Sequence, residues 1–320
     1  MEWTTDVARG DWIRERLDDR LPASIHALVP RGFEAYARVL HPATRERPVG
    51  AAWPPEPVER HRAEWDAFSR AGHSLDSAAV TWAETADAFD SRVDPRGPWH
   101  ELVGFDESHS GEQARDDAGW RYTEPEEGRL DAASLASIVR VLARFTGTGD
   151  DIVAGIWDGW GGVLGFMGSA PSRATLTLAG SPAGTDDDER RRHAEFLAQS
   201  IHDPFNSPFA KVSWQPGILS EEISRGPRLA LPSRDHVLFR ASLAEFAQPS
   251  WAALVPWADE VAEWTASPSL VWPADRAWVL ATDVDLDSTL IAGSAALVDA
   301  LRAAPALETV ELPEGAALRP

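Results

Sequence analysis

The stretch Leu130-Asp-Ala-Ala-Ser-Leu-Ala-Ser-Ile-Val-Arg-Val-Leu-Ala-Arg-Phe145, continued by Thr146-Gly-Thr-Gly-Asp-Asp-Ile-Val-Ala-Gly-Ile-Trp157, carries two different periodicities. Leu135, Ile138, Val139 and Leu142 recur at the spacing that lines one face of a helix, and Gly147 supplies its stop. The run from Ile152 to Trp157 then predicts a strand. A secure helix leading into a buried strand points to an α+β or mixed α/β fold: a helix-rich N-terminal third, then a mixed sheet with flanking helices. Downstream, residues 236–240 and 277–286 predict further strands and residues 251–264 a helix. A closing helix over residues 295–303 is capped by Ser294, and residues 310–312 return to a sheet edge.

Upstream, Asp11 is placed to cap a helix over residues 12–21. Phe33, Tyr36, Ala37 and Leu40 have the i, i+3, i+4, i+7 spacing of an amphipathic helix or helical turn that Pro42 stops. Four prolines between residues 48 and 57 predict an extended connection, and residues 58–70 and 75–89 predict two helices. Residues 105–128 are acidic, poor in aliphatics and predict a loop. A strand over residues 175–178, a helix over 186–201 and an aromatic loop over 203–209 complete the reading. The chain divides into a helix-rich region (1–95), an acidic loop region (96–128) and an α+β region (129–320), which can also form one compact unit.

With 320 residues, 43% of them hydrophobic, the chain can bury a large core. It has no cysteine, which excludes disulfides, thiolate metal sites and cysteine nucleophiles. The N-terminus lacks the pattern of a signal peptide and no stretch reaches the roughly 20 apolar residues of a bilayer span, so the expectation is a soluble, cytoplasmic protein. The net charge is -21 and Lys211 is the single lysine. So acidic a surface repels nucleic acid and anionic membranes and favours a basic protein partner. The run Arg190-Arg191-Arg192 follows Asp186-Asp187-Asp188-Glu189 directly, the pattern of a solvated helix start. Fifteen tryptophans suit cores, pockets and interfaces alike.

The string Asp285-Leu-Asp-Ser-Thr-Leu290, behind the apolar run Ala277 to Val284, resembles the first motif of the haloacid-dehalogenase phosphatases. That resemblance implies Asp285 as nucleophile, Asp287 as acid/base and a magnesium ion. Only 30 residues follow Leu290, too few for the doubly wound domain that the family builds after this motif. An EF-hand fails as well, because its glycine and final glutamate positions hold Ser288 and Ser294. As an extended strand the segment aligns Asp283, Asp285 and Asp287 on one face at about 6.6 Å intervals. Such carboxylates need arginine or water first, and a divalent metal, Mg or Mn, as the alternative.

The turn Trp157-Asp-Gly-Trp-Gly-Gly162 lacks the third glycine of a dinucleotide fingerprint and reads as a tight turn or an aromatic recognition surface. The histidines His100, His109, His193 and His202 have no metal-ligand spacing. Walker A, Gly-x-Ser-x-Gly and His-Glu-x-x-His motifs are missing from the sequence.

The segments Arg31-Gly-Phe-Glu-Ala-Tyr-Ala-Arg-Val-Leu-His-Pro42, Ile156-Trp-Asp-Gly-Trp-Gly161 and Val271-Trp-Pro-Ala-Asp-Arg-Ala-Trp278 through Thr289 resemble an uncharacterised family of actinobacterial proteins. That resemblance implies no activity. The leading expectation is therefore a binding protein without a cofactor, using a surface of Trp157, Trp160, Trp272 and Trp278 and neutralising a basic partner as an immunity protein does. The competing expectation is a divalent-metal-dependent hydrolase built on Asp283, Asp285 and Asp287. The oligomeric state stays open.

Overall fold

The computed structural model describes residues 1–18, 20, 23–104, 113–168 and 213–318. The expected elements at residues 175–178, 186–201 and 203–209 lie outside them.

The fold is α+β, built on a nine-stranded sheet in the order β1-β11-β7-β12-β13-β14-β2-β15, with β10 also paired to β11. The strands are β1 (Glu2–Trp3), β2 (Ala35–Leu40), β7 (Ile152–Trp157), β10 (Leu229–Ala230), β11 (Asp235–Ala241), β12 (Leu270–Pro273), β13 (Val279–Thr282), β14 (Ser288–Gly293) and β15 (Glu308–Leu312). Every described pairing is antiparallel, which replaces the expected mixed sheet. The antiparallel order follows from β12, β13 and β14 being consecutive and joined by short turns.

Both faces of this sheet are covered, so its central strands are buried on both sides and mostly apolar rather than alternating. On one face Ile152, Ala154, Ile156, Phe239, Leu280 and Ile291 pack against α4 (Ala132–Leu142) and α6 (Ala295–Arg302). On the other, Val153, Leu238, Leu270 and Val279 meet Trp12, Ile13 and Ile25 of the N-terminal turns and Leu318. Helix α4 starts where the Asp131 carboxylate accepts from Ala133 N and Ser134 N, and it ends at Leu142 in a 3-10 turn, Ala143–Phe145, ahead of the expected stop at Gly147. Ser294 accepts from Leu297 N and caps α6 in the same way.

The N-terminal third holds strands as well as helices. Residues 35–40 form β2, wedged between β14 and β15 with all six residues buried. Burial on both faces removes the alternation that would have marked a strand, so the chance helical spacing misleads. At His41-Pro42 the chain leaves the large sheet and enters β3 (Ala43–Pro48) of a second, four-stranded sheet, ordered β4-β3-β6-β5. The segment 75–89 splits into β4 (Leu75–Val80) and α3 (Trp82–Ala88), because Thr81 and Glu84 form a capping box that starts the helix anew. The region expected as a loop contributes β5 (Ala114–Arg115) and β6 (Arg121–Thr123). Helices α1 (Asp11–Arg14), α2 (Arg62–Ala71) and α3 each occupy part of an expected early helix, and Asp11 lies within α1 rather than ahead of it.

Residues 251–264 do not form one helix. Two 3-10 turns, Pro249–Ala253 and Ala262–Trp264, flank Pro256, which has no N–H to donate and disfavours the helical conformation before it. A third pair of strands, β8 (Phe166–Gly168) and β9 (Ser213–Gln215), and a short helix, α5 (Glu221–Ser224), complete the described elements. Among the described residues no helix is long and apolar enough to cross a membrane.

Much of the tryptophan is structural. On the second sheet and α2, Arg121 lies 4.0 Å from the Trp53 ring, Arg47 4.3 Å and Arg45 4.6 Å from Trp120, and Trp53 stacks on Trp65. Each such cation–ring contact contributes about 0.5–1 kcal/mol at partly exposed sites.

Candidate functional site

Strand β13 ends at Thr282, and residues 283–287 turn the chain into β14. Asp283 causes the turn: its carboxylate accepts from Asp285 N, and its carbonyl from Leu286 N. The three aspartates therefore do not line one strand face. Asp283 and Asp285 both bind Arg234, at 3.2 and 2.5 Å, and that guanidinium lies 5.0 Å from the Trp157 ring. Burial opposes the charge on Arg234, but the two aspartates outweigh it and raise its pKa. Asp287 belongs to a different network. It binds the buried Arg38 at 2.7 Å and accepts from Trp99 N at 2.9 Å. Arg38 also donates to Ser288 Oγ, Pro95 O and Gly97 O, which ties β2, β14 and the loop before Trp99 together. Among the described residues no group of three or more histidine or carboxylate side chains is placed to hold a metal ion.

The turn is clasped by the loop ahead of α4. Gly128 N donates to Leu286 O at 2.8 Å, and Gly128 has φ 69°. This loop, Glu124-Pro-Glu-Glu-Gly-Arg129, forms one wall of a cleft of about 310 Å³. Glu124, Glu126, Asp131 and Glu263 line it, with His41 and Trp251 among its other walls. Arg129 also lines the cleft and is bound to Glu126 at 2.5 Å. A smaller hollow of about 60 Å³ shares Glu124 and is bounded by His100, Glu127, Asp285 and Asp287. Burial and the charges of Glu124, Asp287 and Asp285 raise the Glu127 carboxyl above its usual range.

His41 is set into the cleft wall by the chain reversal between the sheets. Its Nε2 pairs with Thr289 Oγ1 at 2.9 Å, which pairs in turn with Thr282 Oγ1 at 2.8 Å across β13 and β14. Burial pushes His41 down to about 4, against the pull of Asp287 and Asp131, so the imidazole is neutral at physiological pH. Thr289 is fully buried, so the pair does not present a hydroxyl to the cleft as a nucleophile.

Of the expected tryptophan surface, Trp157 and Trp160 are half-buried and meet edge to face at 5.9 Å. Trp272 and Trp278 are not surface residues at all, at 1% and 0% exposure on opposite faces of the large sheet. Trp272 lies in the central strand β12 and Trp278 immediately ahead of β13, which places each side chain in one of the two cores. His41, Glu126 and Glu263 were not singled out by the sequence. The acidic run at 124–127 was its one visible signal.

No family model, no curated protein and no solved structure matches the chain.

Proposed function

We propose that the protein is an acidic binding protein that receives and neutralises a basic protein partner in the cytoplasm, in the manner of an immunity protein. One observation carries the reading: Glu124, Glu126, Asp131 and Glu263 surround a single cleft whose lining arginine, Arg129, is already engaged by Glu126. Cations are drawn to such a cleft, and the overall charge of -21 extends the attraction beyond contact distance. Complementary charge of this kind accelerates encounter and selects the partner's sign. The reading requires no cofactor. Asp283, Asp285 and Asp287 serve in it as anchors of the turn beside the cleft.

The test compares the wild type with Glu124→Lys/Glu126→Lys/Glu263→Lys, a variant of exposed side chains whose retained fold is checked by circular dichroism. Immobilised on a column and exposed to extract of the producing cell, the wild type retains basic proteins that elute as salt rises, and the variant does not. Retention of the same proteins by both, insensitive to salt, overturns the proposal.

A further inference from the structure

The segment that closes the cleft opposite the acidic loop has an unusual distribution of side chains. Trp251 and Trp257 are buried in it, and Trp257 Nε1 donates to Ala266 O at 2.9 Å. Leu254, Val261 and Trp264 are instead turned outward, at 75%, 39% and 60% exposure. Leu254 follows the first of the two 3-10 turns on either side of Pro256, and Val261 and Trp264 bound the second; the two turns pack on each other, and Trp264 N donates to Val261 O at 2.8 Å. The same two turns supply Trp251, Ala252, Ala262 and Glu263 to the cleft wall. The rim of Leu254, Val261 and Trp264 and the wall of the acidic cleft therefore come from the same two turns.

We infer that this rim is the docking face for a basic amphipathic segment of the partner. The inference rests on the function proposed above and adds where and how binding occurs. An exposed tryptophan is an energetic anchor once covered, because such side chains dominate binding energy when water is excluded from them, and an exposed leucine adds apolar area to bury. A purely cationic ligand satisfies the carboxylates and leaves this rim wet. A purely apolar ligand covers the rim and leaves the carboxylates without counter-charge. A segment with leucine or aromatic side chains along one stripe and lysine or arginine beside it matches both parts. Its apolar side chains lie on Trp264 and Leu254, and its cations reach Glu263, Glu126 and Glu124.

Three synthetic peptides of about 18 residues, five helical turns each, test this: leucine and lysine in amphipathic order, the same peptide with glutamate for lysine, and a lysine–glycine peptide without leucine. The Trp264 indole N–H resonance is identified by its loss in Trp264→Phe. The leucine–lysine peptide is expected to shift that resonance and to bind about tenfold more weakly to Leu254→Ser and to Trp264→Ser. The glutamate peptide is expected not to bind. Equal affinity of the leucine–lysine peptide for the wild type and both serine variants, or a silent Trp264 resonance, overturns the inference. If the lysine–glycine peptide nevertheless binds and the triple charge reversal abolishes it, the acidic-cleft function survives without the rim. If no cationic peptide binds, the rim inference falls with it.

Discussion

Asp285 and Asp287 are two positions apart in one turn and differ in what surrounds them. The Asp287 carboxylate faces an arginine with a side-chain exposure of 1%, and its second oxygen accepts a backbone N–H. Removing it strands Arg38 in the interior, where an uncompensated charge typically costs 3–5 kcal/mol. Asp285 reaches Arg234 from solvent with 77% of its side chain exposed, and such pairs are worth roughly 0–1 kcal/mol. Asp287→Ala is therefore expected to lower the unfolding free energy by about 3–5 kcal/mol and Asp285→Ala by less than about 1 kcal/mol, read by urea denaturation. Comparable losses would mean that the turn, not the Arg38 network, holds this corner. The sequence made the need for arginine legible here, because aspartates so close together require counter-charge. It did not show which arginines, since Arg38 lies 249 residues before Asp287 and Arg234 lies 49 residues before Asp283.

Elements whose signals are local were legible, and those decided by distant pairing were not. Helix α4 announced itself by an apolar stripe and α6 by its capping Ser294, a cap that is made. The break before α3 was equally local, since Thr81-x-x-Glu84 is a capping-box pattern, yet an apolar spacing that ran through it concealed the boundary. Strand β2 had no local signature, because two neighbours from the other end of the chain bury it. The acidic loop was visible as composition, but its clasp on the β13–β14 turn was not. That clasp depends on Gly128: a Cβ there would sit 2.5 Å from Val284 Cα, at a positive φ that other residues rarely adopt. Gly128→Ala is expected to cost more than about 1 kcal/mol and to raise amide exchange at Leu286 and Gly128, measured by hydrogen exchange. Unchanged protection would show that the turn stands without the loop.

For the molecule as a whole, the expected class, a large core and a strong negative charge were legible in composition, while the cleft needed three distant segments to be seen together. Acid stability is also a property of the assembled fold. Burial pushes both His41 and His236 down to about 4, so between about pH 6.5 and 4 the unfolded chain binds protons that the folded one does not. Stability therefore falls as pH is lowered through that window, by roughly 2 kcal/mol per histidine at pH 5. Glu127, whose carboxyl is raised, acts in the opposite sense over the same descent. Unfolding free energies measured at pH 7 and pH 5 are expected to differ less in His236→Phe than in the wild type. Equal differences would show that His236 accepts a proton without loss of the fold.

The position of β2 in the sheet has a consequence for how the protein is made. Both of its partners, β14 and β15, lie about 250 residues later in the chain. At the usual pace of translation the ribosome needs roughly 12 to 50 s to supply them. Throughout that interval Ala35–Leu40, buried without exception in the finished fold, is a nascent segment with its backbone unpaired. The protein's period of greatest exposure to aggregation, and of greatest use for a chaperone, thus falls before its last strands are synthesised.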